Sequence, residues 1–297
     1  MAYSKPIGKV SATENNPTTV DEFTFWLQNE VIVRPFDIVK VSNYKKSTSY
    51  AVIEDIIHIT DSPGHLGSYV SSDFGDPATE PFTKRLGLTF AKCKILSNFP
   101  GHKENIEQID MPVLDGTPVY FPNASEIVEA LGLKDIKHPI PAGFIEMSNN
   151  ISVPVEFSTD FLLGSEGAHL NISGISGLAT KTSYIMYLLQ AIQQKNPDTA
   201  IVILNVKGKD LLRIDEKNPK ISSEEEKKYE KTSLKCLPFR DVKYFYPYST
   251  SKKLQFSQTF LDSKPLEEQH NSDKAFNFIY TYEEDSAKLD LLFSDLP

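Results

Sequence analysis

The chain has little that could brace it covalently or hold a metal. Its 297 residues include two cysteines, Cys93 and Cys236, too few and too far apart for a disulfide framework or a thiolate metal site. That thiol count fits a reducing cytoplasm. The six histidines are scattered, and none forms a metal-spaced pair. No apolar run approaches the ~18–20 residues that cross a bilayer, so no membrane partner is expected. The opening Met1-Ala-Tyr-Ser-Lys-Pro lacks the apolar centre of a secretion signal. Positive charge is short too: residues 1–150 hold 13 Lys/Arg against 19 Asp/Glu, and residues 151–297 hold 18 against 21. A protein that coats nucleic acid over its whole surface is thereby excluded; a local patch, or a ring of several subunits, is not. There is no internal repeat and no low-complexity tract.

What is present is an ordinary globular balance, 40% apolar and 24% charged, with length enough for two domains. The first half reads as all-β. Phe23-Thr-Phe-Trp-Leu and Asp37-Ile-Val-Lys-Val-Ser alternate, Val31-Ile-Val leads into a turn, and Tyr50–Ile59 and Leu86–Leu96 are further strands. Short strands parted by Pro, Gly, Asn and Ser favour a small barrel or sandwich. Residues 62–83 read as a long loop. Asn123–Gly132 reads as a short helix with Ser125 as a plausible cap and Gly132 as its stop. Pro139–Gly143 is a linker candidate, and the boundary falls between domains of residues 1–150 and 151–297.

Beyond it the pattern becomes α/β. His169-Leu-Asn-Ile-Ser predicts a strand, Lys181–Gln194 a helix apolar on most sides, and Ala200-Ile-Val-Ile-Leu-Asn-Val a buried parallel strand after the Asn196-Pro-Asp break. Together they make a βαβ unit. A charged helix follows from Ser223, capped by Ser222 or Ser223, its Glu/Lys run a solvated face. Asp241–Tyr248 and Phe276–Tyr282 are two more strands.

Between that first strand and its helix lies Gly174-Ile-Ser-Gly-Leu-Ala-Thr-Lys-Thr-Ser. A nucleotide-binding P-loop needs this order: strand, Gly-containing loop, Lys-Thr, helix. Backbone N–H groups and the positive helix end then converge on phosphates. Gly174, Gly177, Leu178, Ala179, Thr180, Lys181, Thr182 and Ser183 are the candidate ATP-binding residues. Lys181 would reach the β- and γ-phosphates, and the Thr182 hydroxyl would hold Mg²⁺. The motif departs from the usual form, because Thr180 precedes Lys181 where glycine is customary and Ile175 takes the first glycine's place. The blander alternative is a Gly/Ser turn that happens to contain Lys-Thr. Against it, a lone lysine in a first helical turn opposes the helix dipole, a conflict that an anion removes. Asn205, Lys207 and Asp210 follow the second strand, at the end where α/β sheets bind ligands. Glu283, Glu284 and Asp285 end a strand as Walker B acids do, though that strand is polar for a central one.

Residues 164–183 together with Ala200–Leu212 resemble the HerA branch of the HerA/FtsK ATPases. The resemblance rests on His169 before the loop, the Ala-Thr-Lys-Thr-Ser variant, and Asn205–Gly208 closing the next strand. Ile7-Gly-Lys-Val, Phe23-Thr-Phe, Phe36-Asp-Ile-Val, Tyr50-Ala-Val-Ile-Glu and Gly116-Thr-Pro-Val-Tyr are similar to the β-barrel that precedes the ATPase core in that family. It implies a HAS-type barrel followed by the first part of a RecA-like core. It also implies a hexameric ring that moves duplex DNA with ATP and Mg²⁺, with Lys181 and Thr182 as its catalytic residues. The implied partner is an effector such as a NurA-like nuclease or a sirtuin-like NADase, in DNA processing or defence against phage. No Walker B Asp-Glu, sensor or arginine finger is identifiable, although Arg34, Arg85, Arg213 and Arg240 are present. The sequence therefore reads as a portion of a longer protein. The alternatives are an assembly scaffold in which nucleotide plays a structural part, and a small-molecule kinase with an accessory β-domain.

Overall fold

The computed structural model describes residues 5–71, 73–75, 78, 86–100, 110–164, 169–175, 180–206, 208–249 and 256–288. The chain divides into two compact units, Met1–Leu170 and Asn171–Pro297.

Unit 1 is built on a closed antiparallel barrel. Its strands are β1 (Gly8–Val10), β2 (Glu22–Leu27), β3 (Ile38–Ser42), β4 (Thr48–Thr60), β5 (Gly87–Phe99) and β6 (Pro118–Tyr120). They run in the order β1-β2-β5-β4-β3-β6, and β6 closes onto β1. Alternation in β2 and β3 sends Phe23, Phe25, Val39 and Val41 inward, where they meet Val10, Ile53, Ala91 and Val119 in one core. Gly8 is required by a close approach: a Cβ there would collide with the carbonyl oxygen of Trp26 on the paired strand. Closure leaves the short strands with few open edges, the hazard of small sheets. Val31–Val33 is irregular rather than a strand.

Between β4 and β5 the expected long loop contains a short helix, α1 (His65–Ser71). After β6 comes α2 (Ala124–Ala130), whose cap is Asn123, not Ser125. Asn123 Oδ1 accepts from the Glu126 N–H at 3.0 Å, and Glu126 Oε2 accepts from the Asn123 N–H at 2.7 Å, a reciprocal capping box. Serine and asparagine are near-equal caps, so position within the box decides. The helix ends as expected at Gly132, which takes φ +67°. Asn123→Ala is expected to cost unit 1 about 1 kcal/mol, read as a lower urea midpoint with unchanged slope.

Pro139–Gly143 is not a linker. It opens β7 (Pro139–Glu146), which pairs antiparallel with β8 (Ser152–Ser158). A bulge at Pro141/Gly143 accommodates the prolines that made the segment look like a break. The hairpin turn spans Asn150, and a one-turn helix α3 (Thr159–Leu162) follows. Met147 and Val153 pack with Ile38 and Ile127, which ties this hairpin to the barrel.

Unit 2 holds α4 (Thr180–Lys195), α5 (Ser223–Lys231), β9 (Tyr244–Pro247), α6 (Ser263–Asn271), β10 (Ala275–Phe278) and α7 (Tyr282–Asp285). Its parallel pair is β9 with β10, joined through α6. Tyr244, Tyr246 and Ala275 form the buried side of this pair against Leu212, Val242 and Leu266. α5 starts, as expected, from a Ser222 box with Glu225.

The βαβ unit expected around α4 differs. His169–Ser173 and Ala200–Val206 form neither helix nor strand and join no sheet. Val202, Leu204 and Val206 are 85%, 85% and 90% exposed, the reverse of a buried strand. A parallel strand needs ladder partners, and among the described residues β9 and β10 bond only to each other. α4 likewise buries one side, through Leu188, Ala191 and Ile192, while Ile185 is exposed.

Candidate functional site

The site begins where α4 begins. Thr180 is its first residue, and Lys181 lies in the first turn with a half-buried side chain, beside the exposed Thr182 and Ser183. Lys181 does not extend into solvent. Its Nζ donates to the carbonyl oxygen of Gly174 at 2.7 Å. The ammonium therefore ties Gly174 to the first turn of α4. Gly177, Leu178 and Ala179 lie outside the described residues, as does the side chain of Thr180.

The other candidates are placed as follows. His169 is exposed. Asn205 Nδ2 donates to the carbonyl of Gly208 at 3.1 Å, and Gly208 takes φ +50°. Asp210 is exposed, and Lys207 lies outside the described residues. Glu283, Glu284 and Asp285 do not end a strand: β10 stops at Phe278, and the acids form α7. Thr281 caps that helix, and Asp285 accepts from Lys288 Nζ at 3.1 Å, whose ammonium draws its pKa down. The first-turn preference of acids for a helix N-terminus explains why the sequence mimics Walker B there. Among the described residues no group of three His, Cys, Asp or Glu could hold a metal. No described helix is long and apolar enough to cross a membrane.

Three polar arrangements in unit 2 escaped the sequence reading. Gln193 and Gln194 each clamp a backbone position. Gln193 donates to the Arg240 carbonyl and accepts from its N–H, both at 3.0 Å; Gln194 does the same with Lys235 at 2.8 and 3.0 Å. Each side-chain amide stands in for a neighbouring strand, so the non-sheet segment 235–240 is anchored to α4. Adjacent glutamines near a helix end carry no signal of this, because any amide can face water.

In the second arrangement, Asp215 accepts from Tyr244 Oη and from Lys274 Nζ, each at 2.6 Å. Burial works to raise the Asp215 pKa, but the bonds from Lys274 and Tyr244 outweigh it and the net shift is downward. Burial and the adjacent carboxylate push the Tyr244 phenol up. A carboxylate with a depressed folded pKa stabilises fully above its unfolded value, about 3.9. That contribution is lost as pH falls through the folded value. Unit 2 is therefore expected to lose stability as pH drops below about 4. Asp215→Asn is expected to flatten that part of the profile and to lower stability at pH 7, as followed by urea melts from pH 2 to 7.

In the third, Ser257 Oγ donates to Asn277 Oδ1 at 2.7 Å and lies 3.2 Å from His270 Nε2. The amide sits on the serine rather than behind the histidine, so this is a buried tether and not a nucleophile with its base. On unit 1, an open cleft of about 510 Å³ is lined by Lys5, Lys40, Tyr120 and Glu126. Its Lys40 is already paired with Glu126 at 2.7 Å. The chain matches no protein-family model and no curated protein.

Proposed function

We propose that the chain belongs to an ATP-dependent DNA motor of the HerA type, with unit 1 as the HAS-like barrel and unit 2 as the start of a RecA-like core. The observation that carries this reading is the Lys181 ammonium folded onto the Gly174 carbonyl at the N-terminus of α4. With ATP bound, Lys181 exchanges that carbonyl for β- and γ-phosphate oxygens. On this reading the first-turn N–H groups take the β-phosphate, and the hydroxyl of the exposed Thr182 holds Mg²⁺. The metal supplies neutralisation of the charge that develops on the transferring phosphoryl group. The wider reading, a hexameric ring on duplex DNA working with a nuclease or other effector, rests on the sequence resemblance.

A second reading has its own support. Ala200–Val206 joins no sheet and Asp285 is engaged by Lys288, so the acids that organise Mg²⁺ and water are not assembled by these elements. On that reading the protein is an assembly scaffold and nucleotide only stabilises it. ATP turnover with and without linear duplex DNA separates the two. DNA-stimulated turnover that Lys181→Ala abolishes supports the motor; nucleotide binding without turnover supports the scaffold; no nucleotide binding ends both.

A further inference from the structure

We draw no further inference here: the strongest candidate, the exposed aromatic face of the β9–β10 pair, where Phe245 stacks on Phe276 beneath the Lys243 ammonium and Phe278 follows on the same side, is an unpartnered apolar face, and nothing in the structure shows what covers it.

Discussion

Phe25→Ala is expected to destabilise unit 1 by about 3–5 kcal/mol. Phe25 is fully buried at the centre of the barrel, its ring 6.4 Å from that of Phe23. Around it lie Val10, Val39, Ile53 and Ala91, each on a strand bonded to both neighbours. Those ladders hold the barrel walls apart, so the cavity cannot close by local collapse and the full penalty is felt. Domains of this kind hold only about 5–15 kcal/mol in total, so the loss is a fifth or more of what keeps the barrel folded. Trp26, the chain's single tryptophan, neighbours Phe25 on β2 and reports the transition by fluorescence. Phe25→Leu keeps most of the volume and is expected to cost less than half as much. Equal midpoints for the alanine variant and wild type would contradict the barrel core described above.

Lys181→Ala is expected to weaken ATP·Mg²⁺ binding at least about 100-fold, since charge-assisted bonds to phosphate are worth about 1.5–3 kcal/mol each. The same change is expected to leave the nucleotide-free protein within about 0.5 kcal/mol of wild type. The reason lies in what the side chain does without ligand: among the described residues it bonds to the carbonyl of the exposed Gly174. A structural lysine would give the opposite pattern, a stability loss with binding to match. Lys181→Arg separates charge from shape. Its planar fork presents its donors in a different geometry from the compact ammonium, so it is expected to recover only part of the affinity. Titration with a fluorescent ATP analogue, beside a urea melt, reads both quantities. Wild-type affinity in the alanine variant would sink the nucleotide assignment.

Much of unit 1 was legible in the sequence because its signals are local. The alternation of Phe23-Thr-Phe and Ile38-Val-Lys-Val, and the glycine that stops α2, each act within a few residues. The hairpin at Pro139 was not legible, because a bulge made proline compatible with pairing where composition alone argued for a break. In unit 2 the apolar run Ala200–Val206 has the composition of a central strand, but a strand is defined by its neighbours, and composition does not supply them. The acids at 283–285 were misleading for a related reason: carboxylates suit a metal site and a helix N-terminus equally well. Of the candidate site, the sequence located Lys181 and Thr182 at the head of a helix. That the ammonium folds back onto Gly174 depends on loop geometry, which no residue pattern encodes.

The paired glutamines on α4 bear on how this chain can vary by insertion and deletion. Gln193 and Gln194 hold Arg240 and Lys235 only while both face the same way as they do now. One residue gained or lost between Lys181 and Gln193 would turn the clamp by about 100° relative to the first helical turn. Either the glutamines or the lysine would then point elsewhere. The length of this helix is thus fixed by its two ends together, whereas the Asn196–Thr199 turn just after it can lengthen freely.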